Sequence, residues 1–256
     1  MRSLMIVVLF MAISGEVSAQ QKVRVAVASN FTYAMEKLAD QFEQQTGHQL
    51  VVSYGSSGKL YAQIINGAPF DIFLSADSTR PIKLEQSNKS TVGSRFTYAR
   101  GELVLWSPEA TSVQQMLGML EQGRFKFVAM ANPKTAPYGY AAQQVMKQLG
   151  IAQHYTRRIV KGENISQTYQ FVYSGNAAAG FIARAQLEAA GAKLPGVVWY
   201  IPQQMYSAIE QQAILLHRGQ NNSAAKEFYN FLQGVEARKI ISASGYGVNA
   251  ATLAER

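Results

Sequence analysis

The chain has 256 residues, a formal charge of +8 from 24 Lys+Arg against 16 Asp+Glu, and no cysteine. Without Cys there is no disulfide framework, thiolate metal site, iron–sulfur cluster or cysteine nucleophile. The three histidines (His48, His154, His217) are too scattered for a His-rich metal site, and a composition 48% hydrophobic and 16% charged argues against disorder.

Residues 1–19 read as a removable secretory leader. Arg2 precedes an apolar run from Leu4 to Ile13, and Val17 and Ala19 are the small residues before a cut at Gln20. The run is shorter than the roughly 20 residues of a membrane span. With no Cys to carry a lipid, the expected destination is the periplasm. Losing Arg2 and Glu16 together leaves the charge at +8. The longest cationic run is Arg157-Arg158, so the basic residues read as scattered surface charge and no nucleic-acid partner is expected.

The mature chain alternates short apolar strands with amphipathic helices. Val23 to Ala28 reads as a strand, then a helix over 31–46 with Phe31, Met35, Leu38 and Phe42 on one face, ended by Gly47. Gln49 to Tyr54 is the next strand. Gly55-Ser56-Ser57-Gly58 opens a helix bearing Leu60, Ile64 and Ile65, closed by Asn66-Gly67, and Asp71 to Ser75 reads as a buried strand. Further strands are expected at 102–106, 125–131, 179–183, 197–201 and 212–217, and helices at 112–121, from Ala136-Pro137 to Gly150, at 165–173 and at 221–233. Strand–helix–strand repetition implies an α/β fold on parallel sheets. There is no internal repeat, low-complexity tract or long linker.

Two junctions share a chemistry. Ala28-Ser29-Asn30 and Gly55-Ser56-Ser57-Gly58 each put small hydroxyl or amide side chains where a helix exposes unpaired N–H groups. Either one alone reads as an ordinary helix cap. Two together in an exported α/β chain point to a site for an anion, held by backbone donors and helix dipoles instead of cations.

The stretches VRVAVASNFTYAMEKLADQFEQQTG and VVSYGSSGKLYAQIINGAPFDIFLSAD carry a specific resemblance. With Ala131-Asn132-Pro133, Ala136-Pro137-Tyr138-Gly139, Gly162-Glu163-Asn164-Ile165, Ala179-Gly180-Phe181-Ile182 and Tyr246-Gly247, residues 22–248 resemble the periplasmic molybdate-binding proteins, the solute receptors of molybdate ABC importers. The resemblance implies a two-lobed type II periplasmic binding protein fold with crossing hinge strands. Lobe I would take 20–101 plus 208–256 and lobe II 102–207, with the chain crossing near Glu102–Trp106 and returning near Ser207–Leu216. It also implies a monomeric receptor, not an enzyme, that hands molybdate or tungstate to a cognate membrane permease and uses no cofactor. The molybdenum would be held only as its oxyanion.

Carried over residue by residue, the implied contacts are Ser29 and Asn30 in the first loop, Ser57 in the second, Tyr138 at the third and Ile165 through its backbone N–H. Many members place a tyrosine donor where this chain has Ala183, so that contact is not carried over; the Tyr138 hydroxyl is a candidate replacement. Ser56, Gly58, Pro69, Asp71 and Asp77 read as turn, cap or scaffold residues. A donor-only set suits a fully deprotonated oxyanion, whereas hydrogen phosphate would need an acceptor. Sulfate is also all acceptor, so a receptor for sulfate or another small tetrahedral oxyanion is the alternative.

Overall fold

The computed structural model describes residues 20–191 and 194–248; the leader read over 1–19 lies outside the described residues. The first strand, β1 (Lys22–Ala28), buries every residue from Val25 to Ala28, as expected of a central strand covered on both faces. A 3-10 turn over Ser29–Phe31 leads into α1 (Thr32–Thr46), which buries Ala34, Met35, Leu38 and Phe42 and ends on Gly47 at φ 70°. A positive φ there is open to glycine without strain. Next come β2 (Gln49–Gly55), α2 (Ser57–Ile65), β3 (Ile72–Ser75), α3 (Thr79–Gln86) and β4 (Phe96–Gly101).

Glu102 alone separates β4 from β5 (Leu103–Ser107), which belongs to a second sheet. That part continues with α4 (Val113–Glu121), β6 (Val128–Ala131), α5 (Pro137–Gln148), β7 (Ile159–Gly162), α6 (Ile165–Tyr173), β8 (Ala179–Ala183), α7 (Arg184–Ala190) and β9 (Val197–Tyr200). The chain then returns to the first sheet as β10 (Ile209–Leu215) and closes with α8 (Ser223–Phe231) and α9 (Val235–Ala243). The two passages between sheets are tied together: Tyr206 Oη accepts the Leu103 N–H at 3.0 Å.

The sheets are five-stranded, ordered β2-β1-β3-β10-β4 and β7-β6-β8-β5-β9. The parallel expectation holds for β1 with β2 and β3, and for β6 with β7 and β8. It fails elsewhere: β10 runs antiparallel to β3 and β4, and β5 antiparallel to β8 and β9, so both sheets are mixed. The cause is the exchange itself. A strand arriving from the other sheet enters from the opposite end.

Each sheet has its own apolar core. Phe31, Met35, Leu38, Phe42, Leu74 and Phe228 pack around the first, and Leu105, Met116, Val128, Val145, Tyr155 and Phe181 around the second. Truncating a buried Phe such as Phe42 to Ala costs about 3–5 kcal/mol. Among the described residues no helix is long and apolar enough to cross a membrane.

Five elements are absent from the sequence reading: α3, β4, β7, α7 and α9. The strand expected at 212–217 is 209–215, and the one expected over 125–131 starts at Val128. Periodicity is weak in these segments. β7 has four residues and α7 seven, and Pro81 sits in the first turn of α3.

Candidate functional site

Both loop–helix junctions of the first sheet face the second. β1 ends at Ala28, so Ser29 and Asn30 emerge at the carboxyl end of a central strand, where open α/β sheets place ligands. β2 delivers Gly55, and α2 starts at Ser57. From the second part, Ala136-Pro137-Tyr138 opens α5 with Pro at its first position, and Ile165 opens α6. These starts converge on one small cavity of about 10 Å³.

Ser29, Asn30, Ser57, Tyr138 and Ile165 all line it, with Ser56 and the small residues Ala28, Gly55, Ala76, Ala136 and Pro137. No Lys, Arg, His, Asp or Glu is in the lining. Each of the five candidates is at most 5% exposed. The first N–H groups of α2, α5 and α6 have no acceptor inside their own helices, and their dipoles favour negative charge at this point. Among the described residues no group of three or more His, Cys, Asp or Glu is placed to hold a metal ion.

The side chains differ in what they have left to give. Ser57 Oγ accepts the Ala76 N–H at 2.9 Å, which leaves its own proton free to be donated. The Ser29 carbonyl accepts from Thr32 Oγ1 at 2.8 Å and from Ser166 Oγ at 2.9 Å, locking the loop. Asn30 Nδ2 donates to Gln211 Oε1 at 2.8 Å and to Tyr246 Oη at 3.0 Å, so both amide hydrogens are consumed. Tyr246 Oη in turn donates to the Asn30 carbonyl at 2.6 Å. Asn30 therefore has only its backbone N–H to offer an anion. The Tyr138 hydroxyl receives a long 3.5 Å bond from Gln211 Nε2, and its own proton remains free.

Behind the cavity, Gln211 organises a buried polar cluster that sequence reasoning missed. It is fully buried on β10, where the pairing with β4 shifts register between Gln211 and Gln212. Its Oε1 accepts from Asn30 and, at 3.2 Å, from Tyr98 Oη on β4. One side chain on the returning strand thus touches Asn30 from one sheet's loop and Tyr138 from the other's. Burial raises the pKa values of Tyr98, Tyr138 and Tyr246 well above the ordinary phenol, reinforced for Tyr98 and Tyr138 by the neighbouring phenols and opposed at Tyr246 by the Asn30 bond. All three are neutral at physiological pH. The only sequence hint was a Gln-Gln pair inside the apolar-flanked stretch IEQQAIL.

At Ala183, the position without the tyrosine, the backbone N–H donates to Gln186 Oε1 at 2.9 Å and Gln186 Nε2 donates to the Ile165 carbonyl at 3.2 Å. Asp71 is scaffold, as expected: buried, it accepts from the Arg24 N–H at 2.8 Å and from Arg218 Nε at 3.1 Å. Asp77 receives the Arg80 N–H at 3.0 Å and pairs with the Arg80 guanidinium. Ser56, read as a turn, cap or scaffold residue, holds the N-cap backbone position of α2, but its side chain makes no capping bond.

The two parts touch across the cavity rim. Gly58 donates its N–H to the Thr135 carbonyl at 2.8 Å, Lys59 pairs with Glu163, and Arg80 Nη2 reaches the Lys134 carbonyl at 3.4 Å. A Cβ at Gly58 would meet the Thr135 backbone at 2.9 Å, so this approach requires glycine. Beside the cavity a wider groove is lined by Arg80, Lys83 and Lys134, with Asp77 as its acid.

Comparison with known proteins agrees with this geometry. The family model described as bacterial extracellular solute-binding protein matches residues 23–247. The molybdate-binding protein ModA of Azotobacter vinelandii is 45% identical over 227 residues, covering 89% of this chain and 90% of the relative. That of Rhodobacter capsulatus is 42% identical over 229 residues, 90% of this chain and 89% of the relative. Among solved structures, the Azotobacter vinelandii periplasmic molybdate-binding protein superposes with a TM-score of 0.83 at 41% identity, covering 89% of this chain and 99% of that one.

Proposed function

From the premise that the chain belongs to the bacterial extracellular solute-binding protein family, we propose that it is the receptor of a molybdate ABC importer. It binds one molybdate between two lobes and presents the closed, loaded form to the membrane permease. It is a solute-binding receptor and not an enzyme.

One observation carries the reading: loops and helix starts from both sheets converge on a single buried cavity with no charged side chain in its lining. In this reading lobe I takes 20–101 plus 208–256 and lobe II 102–207. Ser29 and Ser57 donate hydroxyl protons, and Asn30, Ser57, Tyr138 and Ile165 donate backbone N–H groups. Hydrogen bonds to a charged partner are worth about 1.5–3 kcal/mol each. About six of them in a dry site total about 9–18 kcal/mol, against the roughly 8 kcal/mol of micromolar binding and the cost of association that must come out of the surplus. The same donors serve tungstate. Hydrogen phosphate is disfavoured because no carboxylate lines the cavity to receive its proton. Residues 1–19 act as the export leader, and the mature protein works as a periplasmic monomer.

The test is isothermal titration of the purified mature protein with molybdate, in competition with tungstate, sulfate and phosphate. Submicromolar molybdate binding that tungstate matches is the expected result. Tighter binding of sulfate than of molybdate would overturn the proposal.

A further inference from the structure

The Ser56 hydroxyl stands apart among the groups lining the cavity. Ser56 lines the cavity and is 3% exposed, yet its Oγ is buried with no hydrogen-bond partner. Leaving a buried hydroxyl unpaired costs about 1–3 kcal/mol. A serine in this place has a standard remedy. Its backbone is extended, at φ −71° and ψ 144°, in the N-cap position of α2. From there the hydroxyl ordinarily accepts the N–H of the second or third helical residue. Here the second, Gly58, already donates its N–H across the lobes to the Thr135 carbonyl at 2.8 Å, and no side-chain cap forms. The contact with Thr135 has taken one of the cap's two usual partners.

We propose that Ser56 is a further ligand-binding residue, its hydroxyl donating to the oxyanion beside that of Ser57. The inference rests on the oxyanion-receptor reading above and deepens it. Two hydroxyls then reach the anion from one helix start. They divide the work: Ser57 Oγ is oriented by the Ala76 N–H it accepts, while Ser56 Oγ has no protein partner and is satisfied by the ligand. A hydroxyl that lacks a partner in the closed protein penalises closure without an anion, so Ser56 links closing to loading.

The experiment compares the wild type, Ser56→Ala and a control, Ser90→Ala, by molybdate titration and ligand-free thermal melting. Ser90 also carries a buried, unpartnered hydroxyl but does not line the cavity. The expected result is that Ser56→Ala binds molybdate about 10- to 100-fold more weakly, the worth of one bond to a charged acceptor, while melting no lower than the wild type. Ser90→Ala is expected to keep wild-type affinity. Ser56→Gly, which N-caps tolerate, repeats the measurement should the alanine variant not fold. Wild-type affinity in the Ser56 variants, or equal losses in Ser56→Ala and Ser90→Ala, overturns the assignment and leaves the receptor reading intact. Failure of the wild type itself to bind molybdate overturns the receptor reading first.

Discussion

Gly101→Ala is a one-methyl perturbation with a consequence that can be worked out atom by atom. Gly101 is the last residue of β4, where the chain leaves the first sheet. A Cβ placed there would lie 2.9 Å from both Tyr138 Cζ and Gln211 Nε2, and closer still to the Tyr138 hydroxyl. Carbon and nitrogen atoms at van der Waals contact sit about 3.5 Å or more apart, so the tyrosine must move. It is 1% exposed and belongs to the packed core, so the ring moves only by disturbing its neighbours or by entering the cavity it lines. Forcing a methyl into a packed interior costs about 1–3 kcal/mol. For a chain of this size that lowers the melting temperature by roughly 2–12 °C, at about 2–4 °C per kcal/mol. The displacement also shifts the start of α5, so molybdate affinity falls with stability. Tyr138→Phe removes the nearest atom of the clash and leaves contacts at 2.9 Å, one of them to Gln211 Nε2, whose bond to the Tyr138 hydroxyl goes with that atom. The double variant therefore recovers about half or more of the lost stability, a coupling in the 0.5–3 kcal/mol range of contacting pairs. Thermal melts and titrations of the four proteins make the cycle. Strict additivity, or a Gly101→Ala protein as stable as the wild type, would refute the reasoning.

Other expectations follow from the same geometry. Ser57→Ala removes a proposed donor to the anion and orphans the buried Ala76 N–H, so it is expected to lower affinity and to cost about 1–3 kcal/mol of stability in chemical denaturation. Tyr138→Phe alone keeps the backbone donor and removes a hydroxyl that meets Gln211, so molybdate affinity is expected to hold; a tenfold or greater loss by titration would make the hydroxyl the replacement for the tyrosine missing at Ala183. Burial raises the pKa values of Tyr98, Tyr138 and Tyr246, so above about pH 10 the unfolded chain releases protons the folded one keeps. Stability is insensitive to these groups below that pH and falls as pH rises through it, and replacing Tyr98 by Phe flattens the alkaline limb of a pH–denaturation series. Lys83→Gln with Lys134→Gln takes two positive charges from the groove beside the cavity. Stopped-flow association slows severalfold at low ionic strength, and the difference vanishes at high salt.

The candidate site was more legible than the architecture around it. Ser29, Asn30, Ser57, Tyr138 and Ile165 sit at strand-to-helix junctions, where capping chemistry and close backbone approach leave a local signature in residue type. All five line one cavity. Strand direction has no such signature. A run such as Ile209–Leu215 has the same hydrophobicity whether it enters a sheet from one end or the other, so the antiparallel insertion of β10 was invisible. Gln211 was hidden for a related reason: in sequence a Gln-Gln pair marks a strand's wet edge, whereas the register shift there turns Gln211 inward to Asn30 and Tyr98. Asn30 was found, but the role of its amide was not, because its partners lie 181 and 216 residues away. Ser56 was read as a turn, cap or scaffold residue because local rules favour such roles, and those rules do not know that Thr135 would meet Gly58 from the second sheet's side.

The division of the cavity between two bodies has a mechanical consequence. Ser29, Asn30, Ser56 and Ser57 ride on one sheet, and Tyr138 and Ile165 on the other. On the proposed donor set, neither half retains the full set once they part, and no fixed positive charge in the lining stays behind to grip the anion. Unloading then needs no proton, no competing ion and no chemical change in the cargo. A permease that pries the rims apart, beginning at Gly58 and Thr135, dismantles the site by geometry alone, and the grip is lost in the same stroke that uncovers the ion.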